Sequence, residues 1–372
     1  MGEMKQERPY RTRTGLKASG VLVVIALAAL LTGCGSSEPQ ARPAAPVARS
    51  LQLPVFEKSC ARQPGASAVV PIRVVRGAIV ANVCIGSKGP FPFLVDTGGG
   101  TLVDSSLAAR LHLDLVDGPR AVTSFTCKRQ IYFASVSQWS VGNTALLPQT
   151  IEVGGIESPA FSDLAGVLGS DTLSTFGAVR IDYSQQTLTL GPRSGLLRSD
   201  VAGGSGGVPA DSSLTKGTSF ASPMPVEVVS KVLSPDHLRL VEVRPTVELS
   251  IGPSRLTMTL DTGAGNTTLA PSVVKQLGLA PIGLPGTAYA GLDCPIAVNH
   301  FTVGPAMLGN VQLPQQIVGS SFIPPGTVGV LGAGVLVHLS PVLVDYTDGE
   351  LFLGHGEQPQ PSAVTAAMPA KT

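Results

Sequence analysis

The chain has 372 residues, 43% of them hydrophobic and 14% charged, with 43 Gly, 31 Pro and a formal charge of +1. So many turn formers beside so few charges exclude a long charged helical assembly and point to a mainly β protein, long enough for two domains that each bury a core. A near-neutral balance, with no Lys/Arg run in the body of the chain, offers no footprint for a phosphate backbone, so nucleic acid is not an expected partner.

Residues 1–34 read as a processing signal: Lys5, Arg8, Arg11, Arg13 and Lys17, then the apolar run Val21 to Leu31, then Thr32-Gly33-Cys34. The apolar run is too short to hold a bilayer stably. Leu31-Thr32-Gly33-Cys34 resembles a bacterial lipobox, which implies cleavage before Cys34, its acylation, and a protein lipid-anchored on the outer side of a bacterial cell membrane. The alternative is an ordinary signal peptide or membrane anchor that contains a Cys. Residues 35–66, rich in Pro, Ala and Ser, are expected to be a flexible tether.

The body of the chain is an internal repeat, with a unit over 67–192 and another over 226–356. In each, a β-rich pair of segments leads into Asp-Thr-Gly. A short helical pattern follows, at Ser105 to Leu111 and at Pro271 to Leu277, then an apolar-apolar-Gly element and an Asp-Tyr strand. Gly169 precedes Asp182 by 13 positions and Gly332 precedes Asp345 by the same 13; Gly191 and Gly354 follow those Asp residues by 9. Matched spacing of this kind argues for duplication. Residues 193–225 contain Gly203-Gly204-Ser205-Gly206-Gly207 and are expected to be a linker; the literal G-x-S-x-G there has neither the preceding strand nor the following helix that a nucleophile turn needs. The tail, 357–372, is expected to be disordered.

Two carboxylates carry the chemistry. Asp96-Thr97-Gly98 and Asp261-Thr262-Gly263 each end an apolar strand. Facing carboxylates can hydrolyse a peptide bond without a metal or a nucleophilic side chain, one taking a proton from water while the other gives one to the carbonyl. Held in contact they cannot both ionise cheaply, so the pair shares one proton and titrates as a unit.

The paired motifs resemble those of the aspartic proteases, with the short lobes and later Leu-Gly and Asp-Tyr segments looking like the retropepsin-like branch. The resemblance implies an all-β fold of two homologous pepsin/retropepsin-like lobes with an interlobe cleft. It further implies a catalytic pair at Asp96 and Asp261, with Thr97 and Thr262 bonding across a pseudo-twofold axis. Gly98 and Gly263 would leave room for backbone amides, and Gly169 and Gly332 would pack under the loops. The expected activity is that of an endopeptidase on a peptide or protein substrate, without cofactor and monomeric because both lobes share one chain. A catalytically silent peptide-binding lipoprotein on the same fold is the alternative.

The residues three after each Asp, Gly99 and Ala264, carry no hydroxyl to donate to the carboxylate. Tyr132 and Tyr289 are candidate flap aromatics, with core or strand-surface roles the blander assignment. No metal is expected, since the five His are scattered and no C-x-x-C occurs. With Cys34 assigned to lipid, Cys60, Cys84, Cys127 and Cys294 form an even set. Cys127 and Cys294 hold matching places in the repeat, 31 and 33 residues after their Asp, so a bridge between them is possible. Free thiols or pairing with Cys60 or Cys84 remain open.

Overall fold

The computed structural model describes Cys60 and residues 69–75, 77–124, 127–157, 161–196, 220–232, 241–290, 294–321, 323 and 327–354. The signal segment with Cys34, the tether apart from Cys60, residues 197–219 of the expected linker and the tail lie outside these. Among the described residues no helix is long and apolar enough to cross a membrane.

The first lobe contains β1 (Val69–Val75), β2 (Ala78–Ile85), β3 (Lys88–Asp96), β4 (Leu102–Asp104), α1 (Ser105–Leu111), β5 (Leu115–Ser124), β6 (Cys127–Val136), β7 (Trp139–Val141), β8 (Thr144–Ala145), β9 (Gln149–Gly154), β10 (Gly166–Gly169), α2 (Ser170–Leu173), β11 (Ala178–Asp182) and β12 (Thr187–Gly191). α3 (Arg193–Leu196) follows directly. The second lobe contains β13 (Met224–Pro225), β14 (Glu227–Val232), β15 (Val241–Ile251), β16 (Ser254–Asp261), β17 (Thr268–Leu269), α4 (Pro271–Gln276), β18 (Pro281–Ala290), β19 (Cys294–Val303), β20 (Ala306–Leu308), β21 (Val311–Leu313), β22 (Gln316–Ser320), β23 (Gly329–Gly332), α5 (Ala333–Leu336), β24 (Val342–Asp345) and β25 (Glu350–Leu353). The described residues therefore form an all-β fold, with helices of seven residues or fewer among them. The stretch expected as a linker is structured at both ends, with α3 at its start and β13 pairing with β25 at its finish.

Local chemistry explains the elements. β2 is buried on both faces along nearly its whole length, so it reads as an unbroken apolar run rather than an alternation. It turns back into β3 through Gly86, at φ 59°, the left-handed conformation glycine adopts without a Cβ penalty. α1 starts where the Asp104 side chain accepts the Ser106 amide at 2.9 Å; α4 starts with Pro271 at its first turn.

In both lobes the apolar-apolar-Gly element lies directly beside the Asp strand. β10 runs parallel to β3, with Leu168 opposite Val95 and Gly169 opposite Asp96. β23 runs parallel to β16, with Leu331 opposite Leu260 and Gly332 opposite Asp261. The repeat at sequence level is thus a repeat of this pairing. Outward from β3 the sheet continues β10, β4, β9, β6 and β5; outward from β16 it continues β23, β17, β22, β19 and β18. The two Asp-Tyr strands join the lobes, because β11 and β24 pair antiparallel with Val179 opposite Val344. One hydrophobic core runs through both lobes, from Phe93 and Leu168 to Leu260 and Leu331.

Phe93 is fully buried on β3, three residues before Asp96, and a Cβ on its neighbour Gly166 would overlap its ring. Phe93→Ala should lower unfolding free energy by about 3–5 kcal/mol, read from denaturant midpoints at unchanged slope.

Candidate active site

Asp96 and Asp261 end β3 and β16, and the loops that follow cross each other. Thr97 Oγ1 donates to the Leu260 carbonyl at 2.7 Å and accepts the Thr262 amide at 3.1 Å. Reciprocally, Thr262 Oγ1 donates to the Val95 carbonyl at 2.8 Å and accepts the Thr97 amide at 3.2 Å. Both threonines are wholly buried, so these four bonds satisfy groups that water cannot reach.

The crossing brings the carboxyls close enough that each bears on the other's titration. Each Asp remains partly exposed, as a reacting group must be. The approach tolerates no side chain at the third motif position. A Cβ on Gly98 would lie 2.5 Å from Asp261 Cγ, and one on Gly263 would lie 2.6 Å from Asp96 Cγ. Gly169 and Gly332 sit under the loops, where a Cβ would overlap backbone of Gly100 and come within 2.5 Å of backbone of Asn266.

Backbone amides replace the hydroxyls missing at Gly99 and Ala264. Asp96 Oδ1 accepts the Gly98 amide at 2.8 Å, and Asp261 Oδ1 accepts those of Gly263 and Ala264, both at 2.8 Å. The Gly99 amide also bonds Asp96. Burial raises the pKa of both carboxyls. For Asp96 the charge of Asp261 and the bond to it push further in the same direction, to well above the ordinary value. For Asp261 the bond to Asp96, the two amides and the more distant Arg244 offset part of the rise. Both shifts run upward, so the two carboxyls titrate as one unit that holds a proton above the ordinary carboxyl range.

Several contributors carried no sequence signal. Ser170, one residue past Gly169, donates to the Thr97 carbonyl at 2.6 Å and meets Tyr346 Oη of the other lobe at 2.9 Å. Asp171 anchors the first loop by accepting the Thr101 amide at 2.9 Å and its hydroxyl at 2.6 Å. The second lobe has Ala333 and Gly334 at these two places. Its mate to Tyr346, Tyr183, is buried with no hydrogen bond from its hydroxyl among the described residues.

The two outer hairpins are β5 with β6 and β18 with β19. Cys127 and Cys294 open β6 and β19 and are bonded to each other, while Cys60 is bonded to Cys84. Tyr132 lies on β6 packed against the core and over Gly118, and Tyr289 is 39% exposed on β18, one pair from the Cys294 end. The one group of candidate metal ligands among the described residues is Asp345, Asp348 and Glu350. Arg193 pairs with all three, which supplies the cation there.

Similarity to known proteins is remote. The structure resembles that of an aspartic proteinase from Irpex lacteus, at 17% sequence identity and a TM-score of 0.45, over 80% of this chain and 99% of that one. No family model and no curated protein matches the chain.

The raised pKa values fix a sign for titration. A pair that works as a monoanion gains activity as pH rises through its lower macroscopic pKa, and burial moves that value upward. The acid limb of kcat/KM should therefore lie above the ordinary carboxyl range, giving an optimum nearer neutrality than that of a gastric-type enzyme. Ala264→Ser adds a donor beside Asp261 and should move the limb down. The matching change at Gly99 is no clean test, because its Cβ would stand 2.6 Å from Asp96 Oδ2. An optimum near pH 2, or a limb unmoved by Ala264→Ser, would contradict this.

Proposed function

We propose that the chain is an aspartic endopeptidase, lipid-anchored through Cys34 outside the cytoplasm, that hydrolyses peptide bonds with a water activated between Asp96 and Asp261. The observation that carries this is the close approach of two strand-end carboxyls, each packed against the other's Asp-Thr-Gly loop and each pushed upward in pKa. The ionised member of the pair takes a proton from water as the water oxygen attacks the scissile carbonyl, and the protonated member gives its proton to the carbonyl oxygen. Collapse of the tetrahedral adduct then delivers a proton from the newly protonated carboxyl to the leaving nitrogen, while the other carboxyl recovers one from an adduct hydroxyl.

The substrate would lie extended between the lobes, with backbone hydrogen bonds giving affinity and alternate side chains giving selectivity. No second copy of the chain is required, because one chain supplies both carboxyls.

Asp96→Asn and Asp261→Asn should each lower cleavage of an unstructured peptide on the order of a thousandfold or more while near-UV dichroism stays unchanged. Appreciable turnover by either variant would remove the dyad assignment. Tight peptide binding without turnover by the native chain would establish the silent binding protein instead.

The anchor has its own test. Cys34→Ala should shift the protein from the membrane fraction to the soluble fraction, since the Val21 to Leu31 run is too short to hold it. Retention through detergent-free washing would rule the lipid anchor out.

A further inference from the structure

The lobes are joined at two separate levels. Near the carboxyls the Thr97 and Thr262 crossing ties the inner ends of the sheets together. In the outer hairpins Cys127 on β6 and Cys294 on β19, each one strand in from its edge, are covalently bonded. Between these ties each lobe presents an unbroken hydrogen-bonded wall. It runs β3, β10, β4, β9, β6 on one side and β16, β23, β17, β22, β19 on the other. Floor, two walls and disulfide make a closed frame. An extended chain lying across the two carboxyls between the lobes would pass through that frame rather than under two separable flaps.

We propose, on the reading of the cleft as a peptide site, that the oxidised protein takes only polypeptides with a free unfolded terminus, loaded by threading. Size supports the restriction. Each wall rises by four interstrand steps of about 4.8 Å, roughly 19 Å in all, and an extended strand needs about 10 Å of that. A small folded domain is about 30 Å across and does not fit. Two flaps held only by hydrogen bonds could part and admit an internal loop from the side; a covalent tie between the hairpins removes that route. Cys294 is fully buried and Cys127 is partly exposed, so a reductant reaches the tie from the Cys127 side.

The full chain would be given two substrates sharing one unstructured peptide: one with a stable folded domain at a single end, the other with folded domains at both. Wild type should cleave the singly blocked substrate at least tenfold faster, and the Cys127→Ser, Cys294→Ser protein should cleave both at similar rates. Where that variant fails to fold, phosphine reduction in a Cys60→Ser, Cys84→Ser background opens the same bond. Equal cleavage of both substrates by the oxidised wild type, or discrimination that survives opening of the bond, would overturn threading. If nothing is cleaved, the peptidase assignment falls. Anisotropy with the same two substrates then decides threading separately: selective association of the singly blocked one upholds it, and equal or absent association overturns it.

Discussion

The reciprocal bonding of Thr97 and Thr262 is the constraint on which the rest depends. Two carboxyls repel as they approach, and nothing in either lobe alone holds one against the other. The four threonine bonds do so from below, across buried ground where each unmade bond would cost about 1–3 kcal/mol. Each threonine reaches the carbonyl of the residue before the partner's Asp, so the bonds set the position of the carboxyl-bearing residues themselves. The glycines at 98 and 263 follow from that closeness, as does the demand for glycine at 169 and 332, where the loops rest on the neighbouring strands.

Within this near-symmetric frame the two sides are not equivalent. Ser170 and Asp171 brace the first loop from below, and Ser170 also meets the phenol of Tyr346 across the lobe boundary. Ala333 and Gly334 give the second loop only backbone contacts, to the Ala264 and Gly265 carbonyls at 2.8 and 3.0 Å. The carboxyls themselves are served alike, Asp96 by the amides of Gly98 and Gly99 and Asp261 by those of Gly263 and Ala264. Divergence between the two copies therefore lies in the braces beneath the loops rather than at the carboxyls.

What was legible in the sequence follows from how far apart the interacting parts lie. Asp-Thr-Gly, the apolar strand before it and the Gly that pairs beside it recur at fixed spacing, so the elements carrying Asp96 and Asp261 could be placed from the chain alone. α1 and the β2–β3 hairpin were equally local, set by Asp104, Gly86 and apolar runs. The Cys127 to Cys294 bond was left open because four cysteines allow three pairings and spacing does not choose among them. Tyr346 was visible as part of the repeated Asp-Tyr strand, but its contact with Ser170 left no signal, since it joins residues 176 positions apart in different lobes. The hydroxyls missing at Gly99 and Ala264 suggested carboxylates short of donors, yet main-chain amides, invisible in any residue type, fill that place. The stretch 193–225 read as a linker because its glycines dominate, and the strand at Met224–Pro225 is too short to register as a pattern.

The pairing of β11 with β24 places the ends of the two repeats side by side, and each contributes one carboxyl to a centre that neither holds alone. The paired centre is therefore the last thing such a chain assembles as it folds. A polypeptide with only its first repeat ordered has one lone carboxyl and no partner for it. On the peptidase reading, a half-folded chain would lack the pair and so could not cut its own unfolded second half.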